Sequence, residues 1–154
     1  MRILLLLIVL VVLPRAADGQ PRSHVYVSAG AGATDLSGGA DVLLAGGPVG
    51  IGGELGAGNL FLASVNGTYH PLAARAPARI DPFATIGLMA LGSSERSLTG
   101  VNLGGGLVVW LKSRVGLRFD GFRFMSISTR YDVPVNQLSP ARYWGVRAGV
   151  SFGF

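Results

Sequence analysis

The run Gly149-Val150-Ser151-Phe152-Gly153 is the nearest approach to a catalytic signature in this chain of 154 residues. A G-x-S-x-G run presents a nucleophilic serine when it forms a sharp strand-to-helix turn and the triad histidine follows later in the chain. Here only Phe154 follows, so the context for acyl transfer fails. His24 and His70 are the only histidines, the next candidates for moving a proton or binding a metal. Two distant histidines in a chain without cysteine do not make a zinc set. Both fall at strand ends, where interfacial or lumen-plugging roles suit them better than catalysis. Asn66-Gly67-Thr68 has the form of a glycosylation acceptor but lies inside an alternating segment, and it is read as chance. No G-x-G-x-x-G or P-loop pattern occurs, so nucleotide binding has no support. The expectation is no enzyme, no cofactor and no metal.

The composition explains why so little chemistry is on offer. The length suits a single domain. Charged residues make up 14% and hydrophobic residues 49%, which excludes a disordered chain. There are 24 glycines, too many for a helical bundle, because glycine costs about 1 kcal/mol per helix position. The absence of cysteine rules out a disulfide framework and thiolate chemistry. The net charge of +5 could suggest nucleic acid, but the arginines are scattered through turns and strands rather than clustered. Basic residues facing the phosphates of lipopolysaccharide are a simpler account.

The front of the chain is an address. Met1-Arg2 precedes the apolar run Ile3 to Leu13, and Pro14, Arg15, Ala16, Ala17, Asp18, Gly19 and Gln20 follow. A basic start, a short apolar run and small residues behind it read as a secretory signal peptide over 1–19, cleaved near Gly19. The run is too short to span a bilayer, which takes about 20 apolar residues. The remaining domain is 20–154, with its net charge reduced to about +4 by the same count.

From residue 24 onward the hydrophobic period is two. Val25, Val27, Ala29 and Ala31 form the first apolar face; Val49, Ile51, Gly53, Leu55 and Ala57 form another. Strands are expected at about 24–31, 40–45, 49–57, 61–70, 80–91, 101–111, 115–127 and 143–154. Loops are expected at Asp35 to Gly39, Pro71 to Arg79, Gly92 to Leu98 and Ser128 to Pro140. No proline falls mid-strand, where it would interrupt the ladder; Pro82 sits at a strand start. Eight strands, most near the 9–11 residues that cross a tilted bilayer path, make an all-β, eight-stranded antiparallel up-and-down transmembrane β-barrel. Lipid leaves no backbone group unpaired, so the sheet must close on itself.

Charges inside strands fall mainly opposite the apolar face. Glu54, Arg118, Asp120 and Arg147 are expected to form a buried ion-pair network in the lumen, which is just wide enough to be filled by side chains. Arg123 shares parity with Leu117 and Phe119, so it either snorkels to the interface or follows a bulge near Gly121. With both termini periplasmic, Tyr26, Tyr69, Phe83 and Trp110 fall near the periplasmic rim, and Phe122, Phe124, Tyr143 and Trp144 near the outer rim. They are read as two aromatic belts.

These residues bring a family into view. The last strand, Tyr143 to Phe154, resembles the terminal strand signal of bacterial outer-membrane proteins, with Val150 and Phe152 at alternate positions and a final Phe154. Arg79 to Leu88, Val101 to Gly106 and Gly116 to Asp120 resemble the fifth, sixth and seventh strands of small barrels of the outer-membrane protein A type. The turn at Gly58-Asn59 is shorter than that family's outer loops, and no peptidoglycan-binding domain follows the barrel. The resemblance implies Sec export and recognition of Val150, Phe152 and Phe154 by the barrel-assembly machinery. It also implies a monomer in contact with outer-membrane lipid and lipopolysaccharide. The expected role is structural, or surface interaction through 93–99 and 128–140. The alternative is a narrow pore or hydrophobic-ligand channel, suggested by the small lumen residues Gly50, Gly52, Gly104, Gly106, Gly145 and Gly149.

Overall fold

The computed structural model describes residues 23–44, 47–72, 79–93, 96–131 and 142–154. The leader at 1–19 lies outside them. Eight strands run β1 (Ser23–Gly32), β2 (Leu36–Leu43), β3 (Val49–Ala57), β4 (Phe61–Tyr69), β5 (Ile80–Gly92), β6 (Arg96–Lys112), β7 (Val115–Tyr131) and β8 (Arg142–Gly153). Each pairs antiparallel with its sequence neighbour, and β1 pairs with β8 to close a barrel. Both described chain ends meet at one rim, where the Phe154 amide donates to the Ser23 carbonyl at 2.9 Å.

Alternation sets the two faces. In β4, Leu62, Ser64, Asn66 and Thr68 are buried while Phe61, Ala63, Val65, Gly67 and Tyr69 are exposed. The exposed set is apolar on strand after strand: Val27, Ile51, Leu55, Val65, Leu88, Leu103 and Phe119 all point away from the lumen. A closed sheet that buries polar groups and exposes Leu and Val inverts the usual arrangement in water. It matches a wall immersed in hydrocarbon.

Three strands extend beyond their expected limits. The Gly38-Gly39 pair looks like a turn, yet β2 begins at Leu36 and runs through both glycines. The reason is a ring on the neighbouring strand. Tyr26 is the register partner of Gly39, and a Cβ at Gly39 would lie 2.6 Å from its hydroxyl. Glycine here gives room to an aromatic side chain, an arrangement that also pins strand register. The polar stretch before Leu98 belongs to the ladder from Arg96 onward, and β7 continues to Tyr131. Ladder hydrogen bonds between these two strands of 17 residues outweigh the polarity of the segments. The remainder of the expected last loop lies outside the described residues. Pro82 is tolerated because Ile80–Phe83 pair with β6 alone, β4 joining only from Ala84.

Candidate functional site

The lumen is where this fold concentrates its polar chemistry. β1, β2, β3, β7 and β8 each send a charged or polar side chain to its centre. Arg147 Nη2 lies 2.7 Å from Asp120 Oδ1, and the same guanidinium is hydrogen-bonded to both oxygens of Glu54. Arg147 Nη1 also donates to Ser37 Oγ at 3.1 Å. Arg118 Nε donates to the other oxygen of Asp120 at 2.7 Å, and its Nη1 donates to Asp41 Oδ2 at 3.3 Å. The structure therefore brings Glu54, Arg118, Asp120 and Arg147 into one chain of ion pairs. A buried guanidinium needs this many acceptors, because an unpaired buried charge is very costly.

Two members of the chain are absent from the sequence expectation. Asp41, inside the expected strand over 40–45, is the second carboxylate of Arg118. Tyr26 donates its hydroxyl to Glu54 Oε2 at 3.0 Å, while its ring lies 3.8 Å beneath the Arg118 guanidinium carbon. Phe83 takes the same guanidinium at 4.2 Å, and Phe122 receives that of Arg147 at 4.9 Å. Cation–π contacts of this kind gain strength when desolvated.

This corrects the aromatic belts. Tyr26, Phe83, Trp110, Phe122 and Phe124 all point into the lumen and are buried. Their strand-end positions were read without their parity, which they share with Arg118 and Asp120. A narrow lumen needs volume, and rings supply it while stacking on the arginines. Tyr143 is half-buried against the inner apolar cluster. Tyr69 and Trp144 face outward, as do Phe61 and Phe152.

The remaining lumen is filled above and below the ions. Toward the rim that holds the chain ends, His24 and His70 meet at 5.9 Å between ring centroids, His24 meets Trp110 at 6.0 Å, and His70 stacks on Phe83 at 5.6 Å. Asp81 is buried at the start of β5 and accepts a hydrogen bond from His70 Nδ1 at 3.0 Å. Toward the opposite rim Leu62, Met89, Leu91, Leu98, Phe122 and Phe124 form an apolar cluster, with Phe124 0% exposed. The expectation that lumen glycines leave open space is not met at this spacing. A Cβ at Gly50 would lie 2.7 Å from Thr68 Oγ1, one at Gly104 2.8 Å from Thr85 Oγ1, and one at Gly149 2.6 Å from Ser28 Oγ. Within the ionic layer a cavity of about 20 Å³ remains, about the room one water needs.

The His70–Asp81 pair has the geometry of the orienting half of a catalytic triad. No nucleophile completes it: among the described residues His70 Nε2 and Ser151 Oγ each lack a hydrogen-bond partner. Ser151 sits inside an extended strand, paired with Tyr26 and Gly116, rather than on a strand-to-helix turn. No cluster of three metal-ligating side chains occurs among the described residues.

No protein-family model matches the chain. No curated protein is detectably similar to it in sequence. Solved structures are similar in shape. The N-terminal β-barrel domain of Pseudomonas aeruginosa OprF superimposes with a TM-score of 0.64 at 17% identity, covering 89% of this chain and 100% of that domain. The outer membrane protein OprG of the same organism gives 0.65 at 10% identity, covering 90% and 99%. Neisserial surface protein A gives 0.54 at 11%, covering 86% and 94%. The chain has the fold of the small outer-membrane barrels. Against that fold, Arg123 becomes intelligible. The register from Leu103↔Arg123 to Gly105↔Gly121 is unbroken, so no bulge turns it inward, and it stays exposed on the apolar wall opposite Trp144. The irregularities of this hairpin lie instead at Thr99/Gly100 and Trp110/Lys112. The outer-membrane-type wall also carries an apolar groove of about 990 Å³ where Gly38, Ala40, Gly53 and Ala63 lie between Val27, Leu55, Val65 and Leu88.

Proposed function

We propose that this chain is a non-catalytic barrel of the bacterial outer membrane, with a structural and surface-interaction role. The observation that supports this most is the filled lumen: an aromatic–histidine layer, an ionic layer and an apolar layer follow one another along the axis. A wall of exposed Leu, Val and Ile around such a filling suits a membrane-embedded body whose working surface is its exterior and rims. The reading includes Sec export with cleavage near Gly19, assembly through the terminal strand, and a monomer surrounded by lipid and lipopolysaccharide. Phe152 points outward and Val150 is half-buried in β8, which keeps both on the strand that closes the barrel.

The hydrophobic-ligand alternative has one observation in its favour, the apolar groove, but that groove lies on the outer wall. Acyl chains of the surrounding bilayer suit it without any transport function.

Membrane fractionation combined with heat-modifiable gel mobility tests the reading. The processed chain is expected in the outer-membrane fraction, running faster unheated than boiled. A chain that stays soluble without detergent overturns it.

A further inference from the structure

Arg123 and Arg142 are two cations on the lipid-facing wall. Arg123 on β7 is directly opposite Trp144 on β8, and Arg142 is opposite Met125. All four side chains are exposed on the same outer face. The two arginines are therefore diagonal cross-strand neighbours about 7–8 Å apart, their Cβ atoms somewhat closer, a gap long side chains can bridge. Among the described residues neither guanidinium has an ion-pair partner, in contrast to the fully paired Arg118 and Arg147.

Their height is informative. Arg123 lies eight residues beyond Val115, the first residue of β7 at the rim with the chain ends. At about 3.4 Å per residue and a tilt near 40°, that is about 20 Å along the barrel axis. The apolar band of such barrels is about 25 Å tall. Arg123 thus sits just inside its far edge, and Arg142 sits higher still. At that level an arginine is tolerated if its head reaches the interface, and Trp144 beside it is the residue type that settles there.

Resting on the membrane reading above, the geometry points to a lipid-phosphate site. Arg123 and Arg142, with the Trp144 indole beside them, hold the phosphate monoester of a lipid A-type glycolipid in the leaflet at the rim away from the chain ends. A monoester carries close to two negative charges at neutral pH, which two guanidiniums balance. The diester of an ordinary anionic phospholipid carries one. The contact is made at the barrel wall and does not depend on the loops.

The test reconstitutes the full processed chain in phosphatidylcholine vesicles doped with either lipid A or phosphatidylglycerol, and counts retained lipid by native mass spectrometry. Lipid A is expected to be retained about tenfold better than phosphatidylglycerol, and the Arg123→Gln/Arg142→Gln variant to lose about that factor. Lys112→Gln/Arg114→Gln removes the same charge at the other rim and is expected to change nothing. Arg123→Lys/Arg142→Lys keeps charge without the fork, and is expected to retain intermediate binding. Equal retention of the two lipids, or equal loss in the two glutamine variants, overturns the site. If the glutamine variant does not fold, as read by heat-modifiable mobility, the lysine variant decides, and binding at the wild-type level overturns the site. A wild-type chain that enters no vesicle sinks the membrane reading instead.

Discussion

Arg147 on the last strand grips both carboxylate oxygens of Glu54 on the third, and Tyr26 on the first strand donates its hydroxyl to one of the same oxygens, Oε2, at 3.0 Å. The bond crosses the lumen rather than running between paired strands. It links walls that share no ladder hydrogen bonds.

Because this pair is buried, removing one partner leaves the other charged and unsolvated. Glu54→Gln or Arg147→Met alone is expected to cost about 3–5 kcal/mol of stability. The double variant is expected to cost less than the sum of the two, since neither Glu54 nor Arg147 is left facing the other's gap and Asp120 keeps Arg118. Urea unfolding of the reconstituted barrel measures both; additive losses would show that the pair is uncoupled.

Gly145 is the register partner of Phe122, and a Cβ placed there would lie 2.5 Å from the ring. Gly145→Ala is expected to destabilise by about 1–3 kcal/mol through overpacking, although alanine is otherwise the better-tolerated residue. The same unfolding assay reads it. A stabilised variant would mean that the ring has room to retreat.

Val65 sits mid-strand on β4, outward-facing and 65% exposed. In a bilayer Val65→Arg is expected to cost about 2–4 kcal/mol. In water the same change on an exposed face would be nearly neutral. Folding yield into vesicles distinguishes the two, and an unaffected yield would contradict a lipid-facing β4.

Planar-bilayer recording of the wild-type barrel is expected to show no steady conductance, because the layers at both ends of the ionic network are packed side chains. Sustained single-channel steps would argue for the pore alternative.

Much of the barrel was legible because its signal is the simplest in protein structure, a change of face at every residue. Val49–Ala57 and Phe61–Tyr69 match their expected spans almost residue for residue. The ionic residues were legible for the same reason: Arg118 and Asp120 share a parity opposite Leu117 and Phe119. Composition misled where it displaced parity. Gly38-Gly39 looked like a turn because its partner Tyr26 is remote in sequence. Phe122 and Phe124 were assigned to the membrane surface from their height alone, although their parity already placed them beside Asp120. The bond between His70 and Asp81 joins the end of one strand to the start of the next, and neither period nor motif records that contact.

The closure of β8 onto β1 also imposes an order of events. The carboxylates Asp41 and Glu54 emerge early in synthesis, and the arginines that neutralise them emerge late, on β7 and β8. A half-made barrel carries buried-type acids without their cations, and two raw sheet edges besides. It has no stable resting form, so the chain gains little by folding from its front end. Contacts between the two ends of the sequence make such folding intrinsically slow. The architecture therefore favours a polypeptide that stays unfolded until β8 is available, then commits all at once.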